Sequence, residues 1–252
     1  MREGAPPAGR LSIGAYLGVV AAYLVLLVIS TFFTLDPSPG LPGFTTTDGV
    51  LRQLVLRMAA PLAFVLFVVG RLGWWRPVWV DERPVRPWLR IVPLSIGLTI
   101  LGCTNYPGLA RSPASFVLLL LAGSLMIGFA EEVLFRGLGV TAFRRAGHRE
   151  LSVAVWTSVL FSLAHAASLL GGPLQLLAAL GAGFLYYLVR RVSGGLLLPA
   201  VLHGLWNFGI FSAGVVEGEI YDLVPTFLLT ELVLLVVVLV GIRKIEPAPA
   251  RV

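Results

Sequence analysis

Three observations predict an all-α, polytopic membrane protein of about eight transmembrane helices, with both termini inside. Composition comes first: 57% of residues are hydrophobic and only 13% are charged, with a mean hydropathy of +0.90. A soluble domain of 252 residues needs more charged surface than that, whereas a lipid-facing surface needs almost none. Second, the chain holds eight apolar stretches long enough, or nearly so, to cross a hydrocarbon core; a crossing takes about 20 helical residues for a core of about 30 Å. Third, Arg and Lys fall on alternate sides of those stretches, as the orientation rule for short loops requires.

The stretches lie at about 11–33, 52–70, 90–106, 115–143, 151–170, 174–191, 195–214 and 223–242. The first follows Arg2 and Arg10 but is too long for a signal-peptide core and lacks a small-residue cleavage site, so it is expected to stay as an anchor. Pro93 shortens the third, which ends near Pro107. With the N-terminus inside, the inner loops hold Arg71, Arg76, Arg83, Arg86 and Arg90, then Arg144, Arg145 and Arg149, then Arg190 and Arg191, and the tail adds Arg243, Lys244 and Arg251. The outer side has Asp36, Asp48, Glu217, Glu219 and Asp222 with Arg111. Leu35 to Gly49 is expected to be an outer loop, and the Pro-rich end after Glu246 a disordered tail. One transmembrane domain, 1–252, accounts for the chain.

A charge of +6 and a pI near 10.1 would suit nucleic acid. The basic residues sit in short loops between apolar runs rather than on one face, so topology explains them and no nucleic-acid partner is expected. Cys103 is the only cysteine, which excludes an internal disulfide and a cysteine metal cage.

Ionisable side chains inside a span are costly and mark functional candidates. Here they are Arg57, Glu131, Glu132, Arg136, His165, His203 and Glu231, with Asn207 as a polar companion. Glu131 and Glu132 point about 100° apart on a helix, so they are expected to differ in role. Glu132 and Arg136, at i and i+4, can pair, leaving Glu131 to face another neighbour. The midpoint of positions 131 and 165 is 148, in the Arg144–Arg149 turn between the fourth and fifth spans. By helical rise both side chains then lie roughly 20–25 Å from that turn on antiparallel helices, where they can meet. His203 and Asn207, again i and i+4, share a face of the seventh span at similar depth. Arg57 and Glu231 are expected to pair across helices.

Together Glu131, His165, His203 and Asn207 make a chemical kit. A carboxylate beside a histidine can orient and deprotonate water, and a second histidine with an amide can donate hydrogen bonds to the oxyanion of a tetrahedral intermediate. Ser162, three residues before His165, lies on a neighbouring face and has no comparable claim as nucleophile. No His-Glu-x-x-His is present, yet a zinc ion held by Glu131, His165 and His203 remains geometrically possible. Two other classes use the same residue types: a proton-relay transporter, against which the chain shows no repeat of broken helices, and a non-catalytic membrane scaffold.

Glu131-Glu132-Val133-Leu134-Phe135-Arg136, then Phe161-Ser162-Leu163-Ala164-His165, then His203-Gly204-Leu205-Trp206-Asn207 resemble, in order and on successive spans, the motifs of the CPBP family. These are the type II CAAX prenyl endopeptidases and bacteriocin-processing (ABI) proteases, and the motif-bearing core covers about 115–214. The resemblance implies an intramembrane endopeptidase acting on a peptide or lipidated protein in contact with membrane lipid. It implies Glu131 as general base assisted by His165, His203 and Asn207 as the oxyanion site, and Glu132 and Arg136 in support. Both metal-dependent and metal-free glutamate mechanisms are attached to the family; an amide is a poor fourth zinc ligand, which favours chemistry with no cofactor. Some members are bacteriocin self-immunity proteins without known proteolysis. The expected setting is a bacterial cytoplasmic membrane.

Overall fold

The computed structural model describes residues 9–34, 46–83, 85–166, 172–213, 215 and 224–240. Eight apolar helices carry the fold: α1 (Ile13–Thr34), α2 (Thr47–Leu72), α3 (Pro87–Cys103), α4 (Ala114–Arg145), α5 (Glu150–His165), α6 (Gly172–Ser193), α7 (Leu197–Ser212) and α8 (Val224–Val240). Each matches one expected stretch. Of these, α1, α2, α4 and α6 are long and apolar enough to cross a membrane unaided, and the other four are shorter. No strand occurs among the described residues, only an isolated bridge between Val80 and Gly195.

The boundaries differ where local chemistry overrides hydropathy. Thr47 to Gly49, expected in a loop, form the first turn of α2, because the Thr46 hydroxyl accepts the Gly49 N–H at 3.0 Å. α3 starts at Pro87, a residue suited to a first helical turn. It stops at Cys103, and Asn105 then caps a separate short helix, Tyr106–Arg111, by accepting from the Gly108 N–H at 2.9 Å. A further short helix, Trp75–Trp79, occupies the expected loop between α2 and α3. Leu35 to Thr45 and the tail after Glu246 lie outside the described residues.

Among lipid tails, which are as apolar as leucine, helices associate through close packing and polar contacts rather than through apolar burial. The α4–α7 contact shows how. A Cβ on Gly128 would lie 2.5 Å from the Ala200 carbonyl oxygen, and one on Gly204 would lie 2.8 Å from the Leu125 Cα. With no side chain at either position the two backbones touch, bringing the middle of α4 against the middle of α7. Gly183 does the same for α6 on α5, where a Cβ would meet Ser158 Cα at 2.9 Å. Across α3 and α8, Thr99 donates to Thr230 at 3.0 Å, a contact of the kind that contributes about 0.6–2 kcal/mol in a membrane. The outer face is left to lipid, with Phe33 84% and Leu118 65% exposed.

Arg57 and Glu231 do not pair. α8 packs against α6 and α3, whereas α2 packs against α1 and α4. Glu231 is consequently buried beside α6, where a Cβ on Gly181 would meet its Oε1 at 2.9 Å. Arg57 has Tyr23 and Glu131 as its charged or polar neighbours instead.

Candidate active site

The α-helical geometry of α4 ends at Glu132, and Val133–Gly139 form a π-helical segment before α-helix resumes at Val140. Such segments are rare and concentrate at functional sites. This one contains Arg136, whose Nη1 lies 3.1 Å from Glu132 Oε1 with both side chains fully buried. The contact is an ion pair without good hydrogen-bond alignment, since all three Arg136 nitrogens lack a hydrogen-bond partner. The guanidinium carbon also sits 4.1 Å over the centre of the Phe161 ring, an arrangement in which the ring face offsets part of a desolvated cation's cost.

His203 joins the two adjacent carboxylates. Its Nδ1 lies 3.0 Å from Glu132 Oε1 and its Nε2 lies 3.6 Å from Glu131 Oε2. The first is a hydrogen bond, with Nδ1–H donating to the carboxylate; the second is just beyond hydrogen-bond reach, and Glu131 Oε2 is buried without a partner. Glu132 is fully buried, whereas the Glu131 side chain is 14% exposed. The two glutamates thus differ as their directions predict, and both address one imidazole through different nitrogens.

Aromatic rings fix that imidazole. Tyr186 stacks on it, 4.8 Å between centroids and 16° from parallel, and Phe161 meets its other side at 5.8 Å and 72°. Phe161 also packs on His165 at 4.6 Å. His165 Nδ1 lies 2.9 Å from the Phe161 carbonyl oxygen, one turn back on α5. A carbonyl only accepts, so Nδ1 carries the proton and Nε2 is the acceptor of the neutral ring. Asn207 is half-buried one turn beyond His203 on α7 and makes no side-chain hydrogen bond among the described residues.

The structure therefore gathers Glu131, Glu132, Arg136 and His203 directly, attaches His165 through the shared Phe161 ring, and places Asn207 by helix register. Sequence reasoning missed Tyr186, which carries no signal beyond being one aromatic residue in an apolar helix. Among the described residues, no group of three or more His, Cys, Asp or Glu side chains is arranged to hold a metal ion. Glu131, His165 and His203 do not form such a group, and no step below is routed through a metal.

A second polar cluster braces this site from the loop side. Arg190 and Arg191, expected in a loop, belong to the last turn of α6 and are buried. Arg190 donates through Nη1 to the carbonyls of Val78 at 2.7 Å and Arg136 at 2.6 Å, through Nη2 to Pro77 at 2.9 Å, and through Nε to Asp81 at 3.1 Å. Arg144 adds an ion pair to Asp81 at 2.8 Å. Burial alone would push the Asp81 carboxyl up, but Arg144 and Arg190 outweigh it and hold the group below its usual range.

Fold and site together define an all-α polytopic membrane protein with a buried carboxylate–imidazole centre. Residues 113–209, which contain all three motifs, match the family described as type II CAAX prenyl endopeptidase Rce1-like. Over that segment, which is under half of the chain, the sequence is similar to the CAAX prenyl endopeptidases. No curated protein and no solved structure matches the chain.

Proposed function

We propose that this protein is an intramembrane endopeptidase that hydrolyses a peptide bond of a membrane-associated peptide, leader-bearing or prenylated, using water activated at Glu131. The observation that carries this reading is the run Arg136–Glu132–His203–Glu131, in which two buried groups, Arg136 and Glu132, orient one imidazole toward a partly exposed carboxylate.

In the proposed reaction Glu131 takes a proton from water as the water oxygen attacks the peptide carbonyl. His165, with Nε2 as acceptor, orients that water. Glu132, accepting from Nδ1–H, holds the His203 ring so that Nε2, carrying a proton in the proposed reaction, donates with the Asn207 amide to the oxyanion. On collapse the C–N bond breaks and the proton held by Glu131 passes to the leaving amine. All of this uses side chains of the chain itself and no cofactor. The centre belongs to a single transmembrane domain with its core at about 115–214, both termini inside, in a bacterial cytoplasmic membrane.

The test is cleavage of a quenched-fluorescence peptide library, including prenylated Cys-containing members, by purified wild type and Glu131→Ala in detergent, with and without chelator. Cleavage by wild type alone supports the reading, and its survival in chelator supports metal-free chemistry. Equal cleavage by both proteins removes Glu131 as the base. A cellular immunity phenotype that survives Glu131→Ala would instead support a scaffold.

A further inference from the structure

In an α-helix the Arg136 carbonyl would accept the N–H of Val140, four residues on. At the end of the π-helical segment Val140 N–H bonds instead to the carbonyls of Phe135 and Gly137. The donor that an α-helix provides for Arg136 is thereby withdrawn, and a buried carbonyl without a donor is costly. A side chain replaces it. Arg190 Nη1, from the last turn of α6, donates to the Arg136 oxygen at 2.6 Å. Arg190 is 0% exposed, and every nitrogen of its guanidinium is used: Nη1 also reaches Val78, Nη2 reaches Pro77 and Nε reaches Asp81.

The consequence lies in helix phase. A bond from Val140 back to Phe135 encloses one residue more than an α-helical bond. The helix faces before and after Val133–Gly139 are therefore offset by about one residue, roughly 100°. Both faces are occupied. Upstream, Gly128 locks α4 on α7. Downstream, Thr141 donates to the Pro77 carbonyl at 3.1 Å, and a Cβ on Gly137 would meet Val78 at 2.8 Å. Arg190 ties the two together, because Pro77 and Val78 belong to the short helix Trp75–Trp79 and Arg136 to the π-helical segment. Arg136 is held at both ends. Arg190 holds its carbonyl, and its guanidinium lies 3.1 Å from Glu132, which accepts from His203 at 3.0 Å.

We propose that Arg190 is a positioning residue of the hydrolytic centre: it caps the carbonyl that the π-helical segment leaves over, keeps the extra residue in α4, and so aims Arg136 at Glu132 and His203 at Glu131. Arg190 touches neither the substrate nor the reacting water and acts through the Arg136 backbone. Its ion pair with Asp81 is separable from this role, because Asp81 also has Arg144 at 2.8 Å. Asp81→Asn removes the ion pair and leaves the carbonyl contacts. Arg190→Lys keeps a charge opposite Asp81 but offers a point charge in place of a planar fork of donors. This role in catalysis rests on the endopeptidase reading above.

The experiment reads the ring and the reaction separately. The chain has three histidines, His148, His165 and His203, so ¹⁵N-histidine labelling gives a spectrum that His148→Gln and His165→Gln assign. The His203 Nδ1–H resonance is followed by NMR in detergent for wild type, Arg190→Met, Arg190→Lys and Asp81→Asn, each first checked by thermal melt. Values of kcat and KM are measured on the library peptide that wild type cleaves fastest. Arg190→Met is expected to move the His203 resonance while that of His148 stays in place. It should lower kcat by on the order of 10–100-fold with KM within about twofold, and Arg190→Lys should recover part of the loss. Asp81→Asn is expected to melt lower but to keep the wild-type kcat and His203 resonance. An unmoved His203 resonance or an undiminished kcat in Arg190→Met overturns the proposal, and Arg190→Lys decides in the same way where Arg190→Met does not fold. An equal kcat loss in Asp81→Asn also overturns it. A His203 resonance that moves only in the Arg190 variants, with no peptide cleaved by wild type, leaves the positioning role standing and sinks the protease reading. Cleavage by wild type with kcat unchanged in both Arg190 variants does the reverse.

Discussion

His203 binds Glu132 through Nδ1 at 3.0 Å while turning Nε2 toward Glu131 at 3.6 Å. The two adjacent glutamates differ: Glu132, fully buried and paired with Arg136, orients the ring, and Glu131, partly exposed, is the one that meets water in the proposed reaction. Replacing Glu131 by Gln is expected to lower cleavage by about 10²–10⁴-fold, the usual worth of a general base. The melting temperature should stay close to wild type, since Glu131 Oε2 makes no hydrogen bond that the change would break. A melting temperature that falls with activity would mean Glu131 is structural.

Glu132→Gln should behave differently. It leaves Arg136 uncompensated where both side chains are fully buried, a loss of roughly 3–5 kcal/mol for a broken buried pair. The double change Glu132→Leu with Arg136→Met should be more stable than Glu132→Gln alone, because it removes both charges, yet it should be inactive. Thermal melts and cleavage assays on the three proteins check the ordering.

Tyr186 offers a finer probe. Its ring stacks on His203, and aromatic pairs of this kind contribute about 0.5–1.5 kcal/mol. Tyr186→Phe should keep that contact and most activity, whereas Tyr186→Ala should cost up to about tenfold in kcat. Loss of activity in Tyr186→Phe would assign the work to the hydroxyl rather than to the ring.

Asp81 gives a prediction in pH. Its folded-state carboxyl lies below the usual range because Arg144 and Arg190 outweigh burial, so the ionised form is the stabilising one. That contribution is fully present above the unfolded value, about 3.9, and is lost as pH falls through the lower folded value. The melting temperature of wild type should exceed that of Asp81→Asn by a constant margin above about pH 5, and the margin should shrink below about pH 4. A margin independent of pH would refute the assignment.

The α4–α7 crossing supplies the last. Gly128→Leu or Gly204→Val must push apart backbones that leave no room for a Cβ, which separates Glu131 from His203. Either change should abolish cleavage, and the same substitution at Gly18, where a Cβ meets nothing within 4 Å, should be tolerated.

Much of this was legible in the chain because the membrane simplifies the reading. Eight apolar runs announced eight helices, and scarcity of charge made each buried ionisable residue conspicuous. The i, i+4 rule found the Glu132–Arg136 pair. It also placed His203 and Asn207 on one face, but it could not reveal that His203 would reach both glutamates, which depends on the Gly128–Gly204 contact. The π-helical segments leave no mark in hydropathy. Arg190 and Arg191 passed for loop cations because periodicity does not distinguish a solvated end from a buried last turn. Arg57 and Glu231 were matched by charge, whereas helix packing decides partners, and it sets α2 against α1 and α4 but α8 against α6 and α3.

The Glu132–Arg136 pair lies within one helix, and its partner His203 lies 71 residues further along the chain. During synthesis α4 thus enters the bilayer with one carboxylate already neutralised by its own next turn, at a time when α7 is still in the ribosome. Glu131 has no such companion on α4; Tyr23 and Arg57, which act on it electrostatically, come from α1 and α2, and His203 comes from α7. In the proposed reaction a chain without its seventh helix lacks His203 and Asn207, so hydrolysis is expected only once α7 has joined α4.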